Sequence, residues 1–368
     1  MIRRYTILLL IPHLGGGGAQ RVIAQLARSL PCERFDVHLG VVTRSDLPGE
    51  KLPPCVRVHR INAHRVVFGV ARLVRMVREI GPDLILSGMF HLNFLVLLLR
   101  PLFPLTTRIL VRQNGMLSAG PRQNTRLERL LYRVTYPWAE GIVGQTSAMA
   151  DEMKRILGSK ARIHVLRNPV DVDNIRRLTE RKTSQWADGG PHLLAVGRLS
   201  AEKGFDLLLE AFVTVRVEHP EARLVILGEG PERNLLESRC SALGLASWVR
   251  FAGYVSEPAS WFADATLLVI PSRTEALPNV LLEGAAAGLP NVATPSSSGM
   301  CELIQGQAGI WLARDIASEA LALSLKSALS TLRPGERFPH TWLEPFDLPE
   351  AIGKYEASIL QTLAGVSG

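Results

Sequence analysis

At 368 residues the chain is long enough for two domains of about 150 residues each. Hydrophobic residues make up 47% of it, enough for sizeable cores. No apolar run reaches the ~18 residues of a membrane-spanning helix, so no transmembrane helix is expected. Charge is unevenly placed: residues 1–185 carry 29 Lys and Arg against 13 Asp and Glu, and residues 186–368 carry 13 against 21. A basic half beside an acidic half points to a polyanionic partner for the first half alone.

The opening MIRRYTILLLIPHL mimics a signal peptide. Its apolar run is short, however, and a glycine loop follows instead of a small-residue cleavage site, so Tyr5 to Ile11 is read as a first strand, buried on both faces. Gly15 to Gly18 and a helix from Ala19 to Leu30 follow. Strand, glycine loop and helix let a backbone approach phosphate closely, although glycines in a tight turn explain the same pattern. There is no GK[ST], hence no Walker loop. Asp46 lies past the next strand, Phe35 to Val42, where a dinucleotide site wants its acid at the strand end. Further on, Arg65 to Ile80 is a helix with Arg72, Arg75 and Arg78 on one face. Strands follow at Pro82 to Ser87, Thr107 to Arg112, Gly141 to Gly144 and Ile163 to Leu166, with His91 in a loop after the first of these. The helix Asn124 to Trp138 carries Arg122, Arg126, Arg129 and Arg133 on it or at its start, interleaved with Leu127, Leu130, Leu131 and Tyr132. The alternation is that of a doubly wound α/β domain. Its basic helices suit an anionic membrane surface, and equally an ordinary solvated face. Aromatics at 6% offer no stacking platform for nucleic acid.

Asn168-Pro169-Val170-Asp171 closes this half, giving a first domain over 1–170. Residues 171–190 are polar and read as a linker ending at Gly189-Gly190-Pro191. A second α/β domain over 191–345 starts with strands His192 to Gly197, Ala222 to Leu227 and Val249 to Ala252. Cys32, Cys55, Cys240 and Cys301 are scattered, without CxxC or neighbouring His clusters. That pattern predicts no zinc site, no disulfide framework and a cytosolic chain.

The most informative stretch is Leu267 to Pro290, LLVIPSRTEALPNVLLEGAAAGLP. It reads as a buried strand, a polar turn holding Glu275, and a short helix with Pro278 at its first position and Gly288 just past its end. Glu283 lies inside the helix, some 7.5 Å of helix rise beyond Pro278, so the two acids serve different parts of one elongated ligand. Between them the helix start offers an anion site. Arg198 and Lys203 follow the first strand of this half, where ligands of parallel sheets sit, and would neutralise a diphosphate.

These residues resemble glycosyltransferase family 4. The likeness rests on Gly197-Arg198-Leu199, Glu202-Lys203-Gly204, Gly228-Glu229-Gly230-Pro231, Gly253, Glu275-x7-Glu283 and Gly288-Leu289-Pro290. Gly16-Gly17-Gly18-Ala19-Gln20-Arg21 is similar to its amino-terminal loop, with Gln20 where Glu is usual. The resemblance implies a GT-B fold: two Rossmann-like domains facing each other across a cleft, with a terminal helix, 346–368, crossing back to the first domain. It also implies retaining transfer from a nucleotide-sugar, UDP-linked in most members, without a metal or other cofactor. Arg198 and Lys203 would then hold the diphosphate and Glu283 the ribose. Glu275 with the amides of Ala276, Leu277, Pro278, Asn279 and Val280 would surround the donor sugar and distal phosphate (Pro278 itself has no N–H to give), beside Gly228, Glu229 and Gly230. Gly16, Gly17 and Gly18 would close against donor and acceptor. Many members carry a histidine after the strand that here ends Arg112-Gln113-Asn114; Arg112 and Asn114 echo instead an Arg-Asn pair of members acting on lipid-linked acceptors. His91 is the other candidate beside the donor sugar.

The resulting expectation is a transferase of hexose or N-acetylhexosamine to a lipid-linked or growing surface glycan. Such an enzyme would be peripheral on the inner face of the cytoplasmic membrane. Competing readings are an acceptor-independent nucleotide-sugar hydrolase or epimerase, a dinucleotide-dependent dehydrogenase, and a non-catalytic membrane-surface protein.

Overall fold

Strand β1 (Tyr5–Ile11) has five consecutive residues, Ile7 to Ile11, with no exposed surface. Only a sheet covered on both faces buries a strand this way. The structure, a computed structural model, describes residues 4–15, 17–43, 52–115, 126–180, 186 and 190–365. Around β1 the chain adds β2 (Phe35–Thr43), β3 (Arg57–Ala63), β4 (Leu84–Ser87), β5 (Arg108–Arg112), β6 (Gly141–Gly144) and β7 (Ile163–Val165). They form one parallel sheet in the order β3-β2-β1-β4-β5-β6-β7. A second parallel sheet holds β8 (His192–Val196), β9 (Arg223–Leu227), β10 (Val249–Gly253), β11 (Leu267–Ile270), β12 (Asn291–Ala293) and β13 (Ile310–Leu312), in the order β10-β9-β8-β11-β12-β13. Side chains alternate across it: Leu194, Val225, Leu268 and Ile270 enter one apolar cluster, and Leu193, Ala195, Leu224, Ile226, Leu267 and Val269 the other.

The chain divides into two compact units, one of residues up to Pro169 together with Pro349 onward, the other Val170 to Leu348. The terminal helix Leu348–Ala364 completes the first unit. There Glu356 pairs with Arg34 at 2.6 Å and Ser358 Oγ lies 3.1 Å from His164 Nδ1.

Three expectations change. The segment 171–190 is not a plain linker, since Val172–Glu180 is a helix. Asp171 caps it by accepting from the Asn174 N–H at 3.1 Å, and Val172 and Ile175 are buried with Trp342 and Phe346. Cys32 and Cys55 form a disulfide where none was expected. Spacing could not show this, because the partners are brought together by β2 and β3 lying side by side. Pro278 caps the helix Asn279–Ala286 instead of starting it, with Gly288 beyond the end at φ +73°.

Candidate functional site

In the second sheet, β8 and β11 are hydrogen-bonded neighbours although β9 and β10 continue away from β8 on its other side. This is the point where strand order reverses, beyond whose carboxyl strand ends ligands of open parallel sheets sit. The loop after β8 contains a short 3-10 turn, Ala201–Lys203; the loop after β11 contains Ser272 to Leu277.

The two loops meet at Lys203 and Glu275. Lys203 Nζ lies 2.5 Å from Glu275 Oε1, with side-chain exposures of 23% and 16%. Ser272 Oγ donates to the same carboxylate oxygen at 2.6 Å. Ser272 is itself fixed, its carbonyl accepting from Thr294 Oγ1 at 2.5 Å, and the Ala276 carbonyl accepts from Ser297 Oγ at 2.8 Å. Glu275 is therefore held on two sides at the entrance to helix Asn279–Ala286, whose first N–H groups have no acceptor within the helix. Glu283 is half-buried within that helix, and Leu277 and Pro278 are buried ahead of it. Arg198 is exposed on the β8 loop.

Backbone packs on backbone beside this pair. Gly228 has φ +144°, and a Cβ there would come within 1.8 Å of the Gly197 carbonyl oxygen. A Cβ on Gly230 would come within 2.2 Å of the Leu199 carbonyl oxygen. The Leu199 N–H donates to the Glu229 carbonyl at 3.0 Å. Only glycine allows the loops after β8 and β9 to stack this closely. Glu229 points its carboxylate to Arg233, which also bonds Glu237 at 2.9 Å.

A residue that the motif alone left without a role ties the loops together. Arg273 donates to Asp206 through two parallel bonds of 2.6 Å, and also to the Ala201 carbonyl at 2.9 Å. Its own N–H donates to the Glu202 carbonyl at 2.8 Å. Burial pushes the Asp206 carboxyl pKa up, but the bonds and charge of Arg273 outweigh it and hold the group below its ordinary value; Asp206 in turn raises Arg273.

In the first unit the reversal lies between β1 and β4. Gly17 stands on the loop after β1, capping helix Gly18–Ser29, where Gly18 is exposed; Gly16 lies outside the described residues. Gln20 is buried beneath Gly17, its amide nitrogen 3.3 Å from His13 Nε2. His91 is not in a loop: it occupies the first turn of helix Phe90–Leu98. Desolvation, then the charge of His13, lowers its pKa. Asn114 donates to the Gly88 carbonyl, placing the end of β5 at the same edge.

Arg112, expected on the acceptor side, is buried among protein partners. Its side chain has no exposed surface; its guanidinium donates to Asn168 Oδ1 at 2.6 Å, to Tyr355 Oη at 3.3 Å and to Asn114 Oδ1. It fastens the end of β5 to the terminal helix and to Asn168. Gln113, Tyr132, Tyr136, Gln145 and Asn93 extend the network.

Comparison with known proteins accords with this arrangement. Residues 16–174 match the model described as Glycosyltransferase Family 4, and residues 190–331 the model described as Glycosyl transferases group 1. The lipopolysaccharide core biosynthesis glycosyltransferase LpsE of Rhizobium meliloti is 32% identical over 304 residues, 81% of this chain and 82% of that protein. The chain belongs to the family 4/group 1 glycosyltransferases. N-acetylgalactosamine-N,N'-diacetylbacillosaminyl-diphospho-undecaprenol 4-alpha-N-acetylgalactosaminyltransferase of Campylobacter jejuni is 26% identical over 80% of this chain and 82% of its own length. Among solved structures, Anabaena Alr3699/HepE in complex with UDP and glucose superposes with a TM-score of 0.78 at 17% identity, over 97% of this chain and 100% of that one. The two parallel-sheet domains are those of the GT-B glycosyltransferases.

Proposed function

We propose that this glycosyltransferase moves a hexose or N-acetylhexosamine, with retention, from a nucleotide-sugar to a hydroxyl of a lipid-linked or growing surface glycan. The observation that carries the reading is Lys203 set against Glu275 at the point of strand-order reversal, ahead of the helix Asn279–Ala286. UDP is the favoured nucleotide, as in the Anabaena complex. The functions of the Rhizobium and Campylobacter relatives favour lipopolysaccharide or polyprenyl-linked acceptors.

In this mechanism Lys203 and Arg198 take up the charge of the departing diphosphate, together with the amides of Ala276, Leu277, Asn279 and Val280. Glu283 binds the ribose hydroxyls and Glu275 the donor sugar; Gly228, Glu229 and Gly230 border the nucleotide. The bond from the anomeric carbon to the phosphate oxygen breaks as the acceptor oxygen bonds the same face of that carbon. The acceptor proton passes to a phosphate oxygen of the leaving group, so the reading assigns no step to a metal. In this reading Asn114 serves the acceptor side, His91 stands beside the donor sugar, and the glycine loop closes against donor and acceptor. The assay is turnover of UDP- and GDP-sugars with and without a polyprenyl-diphosphate glycan. Product formed at the same rate without acceptor would overturn transfer in favour of hydrolysis or epimerisation.

The reading places the enzyme on the inner face of the cytoplasmic membrane. Supporting it, Leu130, Val134 and Trp138 are exposed beside Arg129 and Arg133 on the segment 126–138, and among the described residues no helix is long and apolar enough to cross a membrane. Sedimentation with anionic vesicles at low salt tests the surface. Thiol trapping in cells tests the compartment: a Cys32–Cys55 pair oxidised in growing cells would sink a cytoplasmic location.

A further inference from the structure

Lys203 sits at the end of a three-residue turn, Ala201–Lys203, followed by Gly204 in the left-handed region at φ +65°. A turn this short has little means of holding a long side chain in place. Yet a Cβ on Gly204 would come within 2.0 Å of the Pro271 carbonyl oxygen, so the turn lies hard against the loop after β11. What clamps it there is Arg273. One side chain reaches both ends of the turn, through the Ala201 carbonyl and the Asp206 carboxylate, while its backbone N–H takes the Glu202 carbonyl. Two residues beyond Arg273, Glu275 meets Lys203.

We infer that Arg273 is a positioning residue for Lys203: by holding the turn 201–204 against the loop 271–275, it fixes where the ammonium group meets the donor diphosphate. The inference rests on the donor reading of Lys203 given above. Arg273 acts through the turn, its guanidinium being engaged by Asp206 and the Ala201 carbonyl. Its planar fork is what allows simultaneous bonds to a carboxylate and a carbonyl in fixed directions. Loss of the fork leaves Lys203 free to follow a mobile turn, and misplacement by about 1 Å costs on the order of a hundredfold in a site that works by alignment. Because the contact concerns the diphosphate and not the base or ribose, it separates two affinities that a merely folded or unfolded loop would change together.

Binding of UDP and of uridine is measured by calorimetry on the full chain, with GDP and guanosine in parallel, for wild type, Arg273→Gln, Arg273→Lys and Lys203→Ala. Arg273→Gln is expected to weaken the diphosphate between about tenfold and a hundredfold, leave the nucleoside unchanged, and lower kcat with the donor more than it raises KM. Arg273→Lys, which keeps the charge facing Asp206 but not the fork, recovers little of the loss. Should Arg273→Gln not fold, Asp206→Asn reads the same clasp from its other side. An unchanged diphosphate affinity, or equal weakening of nucleoside and diphosphate, overturns the inference. If Lys203→Ala leaves diphosphate binding intact, or wild type binds neither diphosphate, the donor reading itself fails, whatever Arg273 does.

Discussion

Lys203 and Glu275, 72 residues apart in sequence, share one short ion pair while Ser272 bonds the same carboxylate oxygen. A diphosphate arriving at Lys203 must therefore compete with Glu275 for the ammonium group. Glu275→Gln removes the competing charge and keeps the shape. The expected outcome is UDP affinity equal to or above wild type, by up to about fivefold, with sugar transfer lower by about a hundredfold or more. Calorimetry and turnover on the same preparation check it, and weaker UDP binding in this variant would contradict the competition.

Gly204 and Gly244 both have positive φ, +65° and +71°, but only Gly204 faces backbone; nothing lies within 4 Å of a Cβ on Gly244. Gly244→Ala is expected to cost about 1 kcal/mol from the left-handed conformation alone. Gly204→Ala adds a clash with the Pro271 carbonyl that neither loop can relieve cheaply, for about 3 kcal/mol in total. Urea unfolding of both variants gives the difference.

Arg112→Met leaves Asn168 Oδ1 and Tyr355 Oη buried without the donor that now serves them. About 3 kcal/mol of stability should be lost, at the cost of about 1–3 kcal/mol per unsatisfied group. Arg112→Lys should recover little, because a point charge cannot reach both partners. The readout is the urea midpoint, with transfer measured well below it; a stable but inactive Arg112→Met would return the residue to the substrate.

His340 is buried between two fixed partners: Nε2 lies 2.7 Å from the Leu289 carbonyl, and Nδ1 accepts from Trp342 Nε1 at 3.3 Å. Desolvation lowers its pKa more than the Leu289 carbonyl raises it, and both nitrogens are committed in the neutral form. The unfolded chain therefore binds this proton more readily than the folded one. Its stabilising contribution is complete above the ordinary value of 6.5 and declines as pH falls from there towards the lowered folded value. The thermal midpoint should fall between pH 7.5 and 5.5. His340→Asn, which tolerates the left-handed backbone at φ +44°, should flatten that slope. His59, His91 and His164 are shifted the same way and leave a residual slope.

The sequence carries the buried strands plainly: Tyr5–Ile11, Gly141–Gly144 and Leu267–Ile270 are apolar runs whose bounds match the observed strands. Strand β3, Arg57–Ala63, is not legible, because an edge strand half in water reads as RVHRINA without an apolar run. The glycines after β8 and β9 mark the site because close backbone stacking excludes every other residue. Arginines are the opposite case. Arg112 reads in the chain as an acceptor-side candidate, with nothing to show that it is buried against Asn168 and Tyr355; Arg273 reads only as part of a motif, with nothing to show its bonds to Asp206. Their partners Asn168, Tyr355 and Asp206 lie 56, 243 and 67 residues away, distances at which no local pattern connects them.

The terminal helix that completes the first unit has a consequence for synthesis. Tyr355 and Glu356, which Arg112 and Arg34 require, are made only after the whole of the second unit, Val170 to Leu348, has been translated. At roughly 5–20 residues per second that interval is on the order of ten to forty seconds. The unit that begins first is thus finished last, and a ribosome that stalls within the second unit leaves an Arg112 with its terminal-helix partner not yet made.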